Sequence, residues 1–186
     1  PKINMTIIKN ISEKFYKSGY EIKVLLREIL KSDDFYKSKG SLIKSPTDLI
    51  VGTLRQFEID PVTLIPYAIA NSRMGQELFN PPNVKGWAGG DKWINTATLL
   101  TRKDILSRLF RVGQKKKIKK INMMNKPIKM MSGMSAVDIK KWMGEMNKEE
   151  LISILHPIKN MNKIKNKKDI LAWTKQLIID PVFQLR

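Results

Sequence analysis

Cysteine is absent from the 186 residues and histidine occurs once. Without a thiol the chain makes no disulfide, no thiolate nucleophile and no thiolate metal site. The one imidazole, His156, has no second histidine to share a metal with and no HExxH spacing around it. Followed by Pro157, it reads as a helix-end residue rather than a ligand or base. Acidic residues are scarce, 17 against 35 basic, and they are scattered. Asp33-Asp34 adjoin a helix end and Glu58 and Asp60 flank a turn, so neither set resembles a working carboxylate pair. The glycines are not closed by Lys-Ser/Thr, which excludes a phosphate-binding loop. Long apolar runs are missing too. Leu64 to Ala70 is broken by Pro66, far short of the roughly 20 residues that span a bilayer. Pro1 to Asn10 has no sustained apolar stretch and no cleavage site, so no signal sequence is visible. A chain opening on Pro1 reads as processed or cut, and the missing signal therefore does not fix a destination. No cofactor and no metal are expected.

What is present is mainly helix. Apolar residues make up 42% and charged residues 28%, which suits a soluble chain with a real core. Ile8, Ile11 and Phe15 share a helical face over 5–17, stopped by Gly19. Glu21 to Lys31 carries an amphipathic stripe of Ile22, Leu25, Leu26, Ile29 and Leu30, with Phe35 expected to pack back beside it. Ser45-Pro46 is a cap followed by proline at the first helical position, and Asp48 completes a capping box. That helix turns Leu49, Ile50, Thr53, Leu54 and Phe57 inward until Asp60-Pro61. A further helix is expected from Val62 to Leu78, delayed by Pro66. Another runs from Thr96 to about Arg111, with Leu99, Leu100, Ile105, Leu106, Leu109 and Phe110 apolar. Short helices follow: Ser135 with Asp138 to Gly144, Asn147 with Glu150 to His156, and Asn166 with Asp169 to Asp180. The last turns Ile170, Leu171, Trp173, Thr174, Leu177 and Ile178 inward. No β-alternation is convincing. The expected fold is all-α, an irregular helical bundle with a long ordered Pro/Gly/Trp-rich loop, a basic linker and a small C-terminal helical tail. The expected divisions are a body at 1–112, a linker at 113–134 and a tail at 135–186.

The charge of +18 is uneven. Residues 1–110 hold 17 basic and 11 acidic side chains, a difference of +6, and residues 111–186 hold 18 and 6, a difference of +12. The cluster Lys115, Lys116, Lys117, Lys119 and Lys120 is the densest. It fits an anionic membrane surface or an ordinary solvated stretch of a lysine-rich protein. Nucleic acid is disfavoured, because the cluster lacks interleaved aromatics and no recognition helix is evident. Eight methionines between Met123 and Met161 offer an adaptable surface, but their spacing does not support copper binding.

Asn80 to Trp93 has no periodicity and a strong character of its own. Pro81-Pro82 stiffens the backbone, Gly86, Gly89 and Gly90 allow turns, and Trp87 and Trp93 bring large faces with one N–H each. Two roles fit: a ligand pocket or interface using Asn83, Lys85, Trp87, Asp91, Trp93 and Asn95, or a clasp whose tryptophans close the core. The run Leu78-Phe79-Asn80-Pro81-Pro82-Asn83-Val84-Lys85-Gly86-Trp87, continued by Trp93-Ile94-Asn95-Thr96-Ala97-Thr98-Leu99-Leu100, resembles the hallmark of the bacterial domain of unknown function 1800 family. Ala88 stands where that family commonly has proline. Gly19-Tyr20, Lys44-Ser45-Pro46 and Asp180-Pro181-Val182-Phe183-Gln184 resemble further family stretches, so the likeness is close over 11–111 and loose over 167–186. It implies the C-terminal part of a longer, exported protein of the periplasm or envelope, and it carries no known activity or catalytic residue. The partner it implies is a protein: the missing N-terminal region of the same protein, or a co-encoded sulfatase-like protein. The resulting expectation is a helical binding or scaffolding module. The alternative is part of an enzyme, with a hydrolytic reaction and catalytic groups elsewhere in the longer protein.

Overall fold

The computed structural model describes residues 4–110, 137–164 and 169–186. The expected linker at 113–134, with Lys115, Lys116, Lys117, Lys119 and Lys120, lies outside them, as do Ser135 and Asn166. The described residues are helical. Among them the only β-pairing is an isolated antiparallel bridge between Ile43 and Leu185. The chain divides into two compact units, Pro1–Ser41 and Leu42–Arg186.

In the first unit α1 (Met5–Lys17), α2 (Ile22–Lys31) and α3 (Asp33–Lys37) follow one another. Asn4 caps α1, Gly19 turns the chain at φ 72°, and Ser32 caps α3. Lys14 reaches Glu28 across the α1–α2 pair at 2.6 Å, a bond that holds the Glu28 carboxyl below its ordinary value. No residue of these helices is buried. The expected stripe on α2 is only half covered at Leu25, while Ile22, Leu26, Ile29 and Leu30 are exposed. Phe35, expected to pack inward, is exposed as well, with its ring edge-on to Tyr36. Three short helices enclose too little volume to surround a side chain on every side.

The second unit holds the core. In α4 (Pro46–Gln56) the capping box forms as expected: Ser45 Oγ accepts from Asp48 N–H, and Asp48 Oδ2 accepts from Ser45 N–H. Leu49, Ile50, Thr53, Leu54 and Phe57 are all buried. α5 (Ile65–Arg73) is shorter than expected. Pro66 sits in its first turn, and the helix ends at Arg73, five residues short of Leu78, with Gly75 at φ 91° turning the chain away. α6 (Thr96–Leu109) corrects a second expectation. Its buried stripe is Thr98, Arg102, Ile105, Leu106 and Leu109, a 4-3-1-3 spacing that keeps one helical face. Leu99 and Leu100 fall outside that face and are exposed.

α7 (Ile139–Met143), α8 (Lys148–Leu155) and α9 (Ile170–Ile179) pack onto the same core. Val137, Ile139, Leu151, Leu155, Trp173, Leu177 and Ile178 join one cluster with the side chains of α4 to α6. Each large apolar side chain buried this way contributes about 1.5–3 kcal/mol before entropy is set against it. Asn147 and Glu150 form a reciprocal cap on α8. Asp169 caps α9 through Leu171 and Ala172 N–H. His156 ends α8 buried, its Nε2 bonded to the Leu177 carbonyl at 2.9 Å, so that nitrogen carries the hydrogen. Its role is to tie α8 to α9. Among the described residues no helix is long and apolar enough to cross a membrane.

Candidate functional site

The loop after α5 is fixed at both ends by polar bonds. Asn71, buried on α5, donates from Nδ2 to Gln76 O at 2.7 Å and to Thr47 Oγ1 at 3.1 Å. Thr47 N–H in turn donates to Gln76 Oε1 at 3.0 Å, so the loop's first residues are held against the start of α4. At the far end a 3-10 helix, Gly90–Trp93, leads into α6. Trp93 is buried, and its carbonyl accepts from Thr98 Oγ1 at 2.9 Å. Asn95 caps α6: its Oδ1 accepts from Thr98 N–H at 2.9 Å, and Thr98 Oγ1 accepts from Asn95 N–H at 2.8 Å.

Between these anchors the candidate side chains separate. Asn83 closes a turn on its own backbone, accepting from Lys85 N–H at 2.9 Å, with a second bond from Gly86 N–H to its carbonyl. Asn83, Lys85, Asp91 and Asn95 are exposed. Trp93 is buried. Trp87 alone of the six lines a cleft, of about 390 Å³, between the end of α5 and the loop. Its polar walls are Ser72, Glu77 and Asn80, and its apolar walls Pro81, Pro82 and Trp87. Nothing in the spacing of Ser72 and Glu77 marks them in the sequence as part of a site. Phe79 and Val84 are wholly exposed. Phe79 sits at φ 66°, a left-handed conformation uncommon for a bulky residue. Among the described residues no group of three or more His, Asp or Glu side chains could hold a metal ion.

This loop is the segment on which the family resemblance rests, and the family profile described as "Protein of unknown function (DUF1800)" matches residues 2–185. The chain belongs to the DUF1800 family. The match is wider than the two stretches that resemblance alone picked out, and it includes the basic, methionine-rich region. Neither the comparison with curated proteins nor that with solved structures returned a match.

A second feature of the DUF1800 chain was not anticipated. Arg102 of α6 is completely buried, and its contacts among the described residues are neutral oxygens: Lys44 O at 3.0 Å and Gln184 Oε1 at 3.4 Å. Its Nε has no hydrogen-bond partner among the described residues. Burial pushes the guanidinium down to about 10. Lys44 lies at the same joint, donating to Phe183 O at 2.6 Å with its ammonium 4.2 Å from the Phe183 ring centre. Burial pushes it down to about 8, with Asp48 opposing and Arg186 reinforcing the shift. Together with Leu42 to Arg186 backbone bonds and the Arg186–Asp48 ion pair at 2.9 Å, these groups strap the C-terminal segment to the start of α4.

The strap has a pH consequence. Lys44 is depressed in the folded chain, so between pH 8 and 10.5 the unfolded chain binds more protons. Stability is therefore expected to rise with pH across that window. Urea unfolding at pH 7.5 and 9.5 should show a gain of about 1 kcal/mol after allowing for residual solvent screening. The gain should shrink in Lys44→Met; an unchanged slope in that variant would assign it elsewhere.

Proposed function

We propose that this DUF1800 chain is a protein-binding module whose partner engages the Asn80–Trp93 loop and the residues just before it. The observation that carries this reading is the pair Phe79 and Val84, wholly exposed on a loop anchored at both ends. Isolated exposed apolar residues are ordinary on protein surfaces. A phenylalanine held at φ 66° and followed within three residues by Pro-Pro is less ordinary. Its backbone is already placed by the loop, so binding has less main-chain freedom to remove there. The partner's matching surface is an apolar pocket on another folded protein domain.

The test places a photo-activatable phenylalanine analogue at position 78, exposed and next to Phe79, in the full-length protein in its native cells, with capture at high salt. One stoichiometric protein partner is expected. It should be lost in the double variant Phe79→Ser, Val84→Ser, which should keep the parent's circular dichroism and melting midpoint because both positions are solvent-exposed. Recovery of the protein alone, or a partner retained by the double variant, would overturn the reading.

A further inference from the structure

We infer that the cleft beside Trp87 is a binding site for a neutral saccharide. It goes beyond the protein interface proposed above, since neither Phe79 nor Val84 lines it. Its volume, about 390 Å³, falls in the range of small-ligand sites, about 300–1,000 Å³. The chemistry of its walls selects the ligand class. The half-buried indole of Trp87 with Pro81 and Pro82 supplies a stiff apolar surface of the kind that packs against the C–H face of a sugar ring. Glu77 and Asn80 supply the polar side. Asn80 Nδ2 donates to Glu77 Oε2 at 3.2 Å, which fixes the two planar groups side by side. A carboxylate accepts about four hydrogen bonds and an amide offers two donors and an acceptor. The pair therefore keeps capacity to accept from one hydroxyl and donate to its neighbour, the pattern that vicinal hydroxyls present. Ser72 adds a third hydroxyl-compatible group at the end of α5.

Charge excludes the competing classes. No basic side chain lines the cleft, so phosphate and carboxylate ligands find no counter-charge there despite the excess of lysine. A cationic ligand could pair with Glu77 over the indole. The chain's net charge of +18 opposes its approach, and the Asn80 donor and Ser72 would go unused. A neutral, hydroxyl-rich ring uses every wall.

The experiment titrates the whole chain with chitotetraose, cellotetraose and xylotetraose and follows the four indole N–H resonances by NMR. Trp87 is assigned from the spectrum of Trp87→Phe. At least one sugar should shift the Trp87 resonance saturably, with little dependence on salt. Glu77→Gln, an exposed change that leaves the fold alone, should weaken binding about tenfold. Ser72→Trp, at an exposed helical position, should abolish it by filling the cleft. Phe79→Ser should leave it intact, so that failure of the interface reading and failure of this one are told apart. No saturable shift with any of the three sugars overturns the inference. A response to choline or lysine that fades with salt overturns it in favour of a cation site.

Discussion

Arg102→Ala is expected to lower the unfolding free energy by about 3–5 kcal/mol, read by urea denaturation at pH 7. The side chain is completely buried and joins three parts of the chain. From α6 it reaches the Lys44 carbonyl before α4 and the Gln184 side chain near the C-terminus. Truncation removes the largest fully buried side chain among the described residues, opens a void and leaves both oxygens without these donors. Arg102→Met separates packing from charge. It keeps most of the volume and removes a desolvated cation whose described partners are all neutral, so it should recover more than half of the alanine loss. A methionine variant as unstable as the alanine one would show that the hydrogen bonds outweigh the relief of burying no charge. An alanine variant with the parent's midpoint would show that Arg102 does not hold the strap. Arg102→Lys should fall between, since one ammonium cannot span both acceptors as a guanidinium does.

The sequence revealed most where local chemistry and burial agree. Ser45-Pro46 with Asp48 fixes the start of α4, and from that start the 3.6-residue period names all five inward side chains correctly. On α6 hydrophobicity and phase part company: Leu99 and Leu100 are apolar but lie off the buried face. Ile105, Leu106 and Leu109 define the buried face, and stepping back three and seven residues from Ile105 reaches Arg102 and Thr98. A charged side chain on that line signals a buried role, yet its charge hid it. The first unit failed for a different reason. Its stripe is real on α2, but a stripe states that a face is apolar, not that this chain covers it. The loop was legible as a loop and as the family's hallmark. Its division of labour was not, because whether a tryptophan fills the interior, as Trp93 does, or borders a cleft, as Trp87 does, depends on neighbours from α5. Glu77 and Asn80 illustrate the same limit. Their bond lies within a local turn, and it becomes the wall of a cleft only beside Ser72 of α5 and Trp87 of the loop.

Phe57→Ala is expected to cost about 3–5 kcal/mol, comparable to Arg102→Ala but reported from a different part of the core. Phe57 caps the end of α4, almost completely buried. Its ring meets Phe110 edge-on at 4.6 Å and Trp142 at 4.4 Å, so one side chain links α4, the end of α6 and α7. Such aromatic pairs add about 0.5–1.5 kcal/mol beyond the area they bury. Trp142 also donates its indole N–H to the Gln56 carbonyl, the residue beside Phe57. The alanine void therefore loosens that contact as well, and the indole should move toward water. Tryptophan emission is expected to shift red in Phe57→Ala, and the shift should vanish when Trp142 is also replaced by phenylalanine. Phe57→Leu should cost less than half as much, because it keeps most of the volume. Leu26→Ala on the exposed face of α2 should cost under about 1 kcal/mol by the same assay, since little is lost where water already reaches. If Phe57→Ala matched Leu26→Ala in cost, the link between α4 and α7 would not be part of the cooperative core, and the helices after Val137 would unfold on their own.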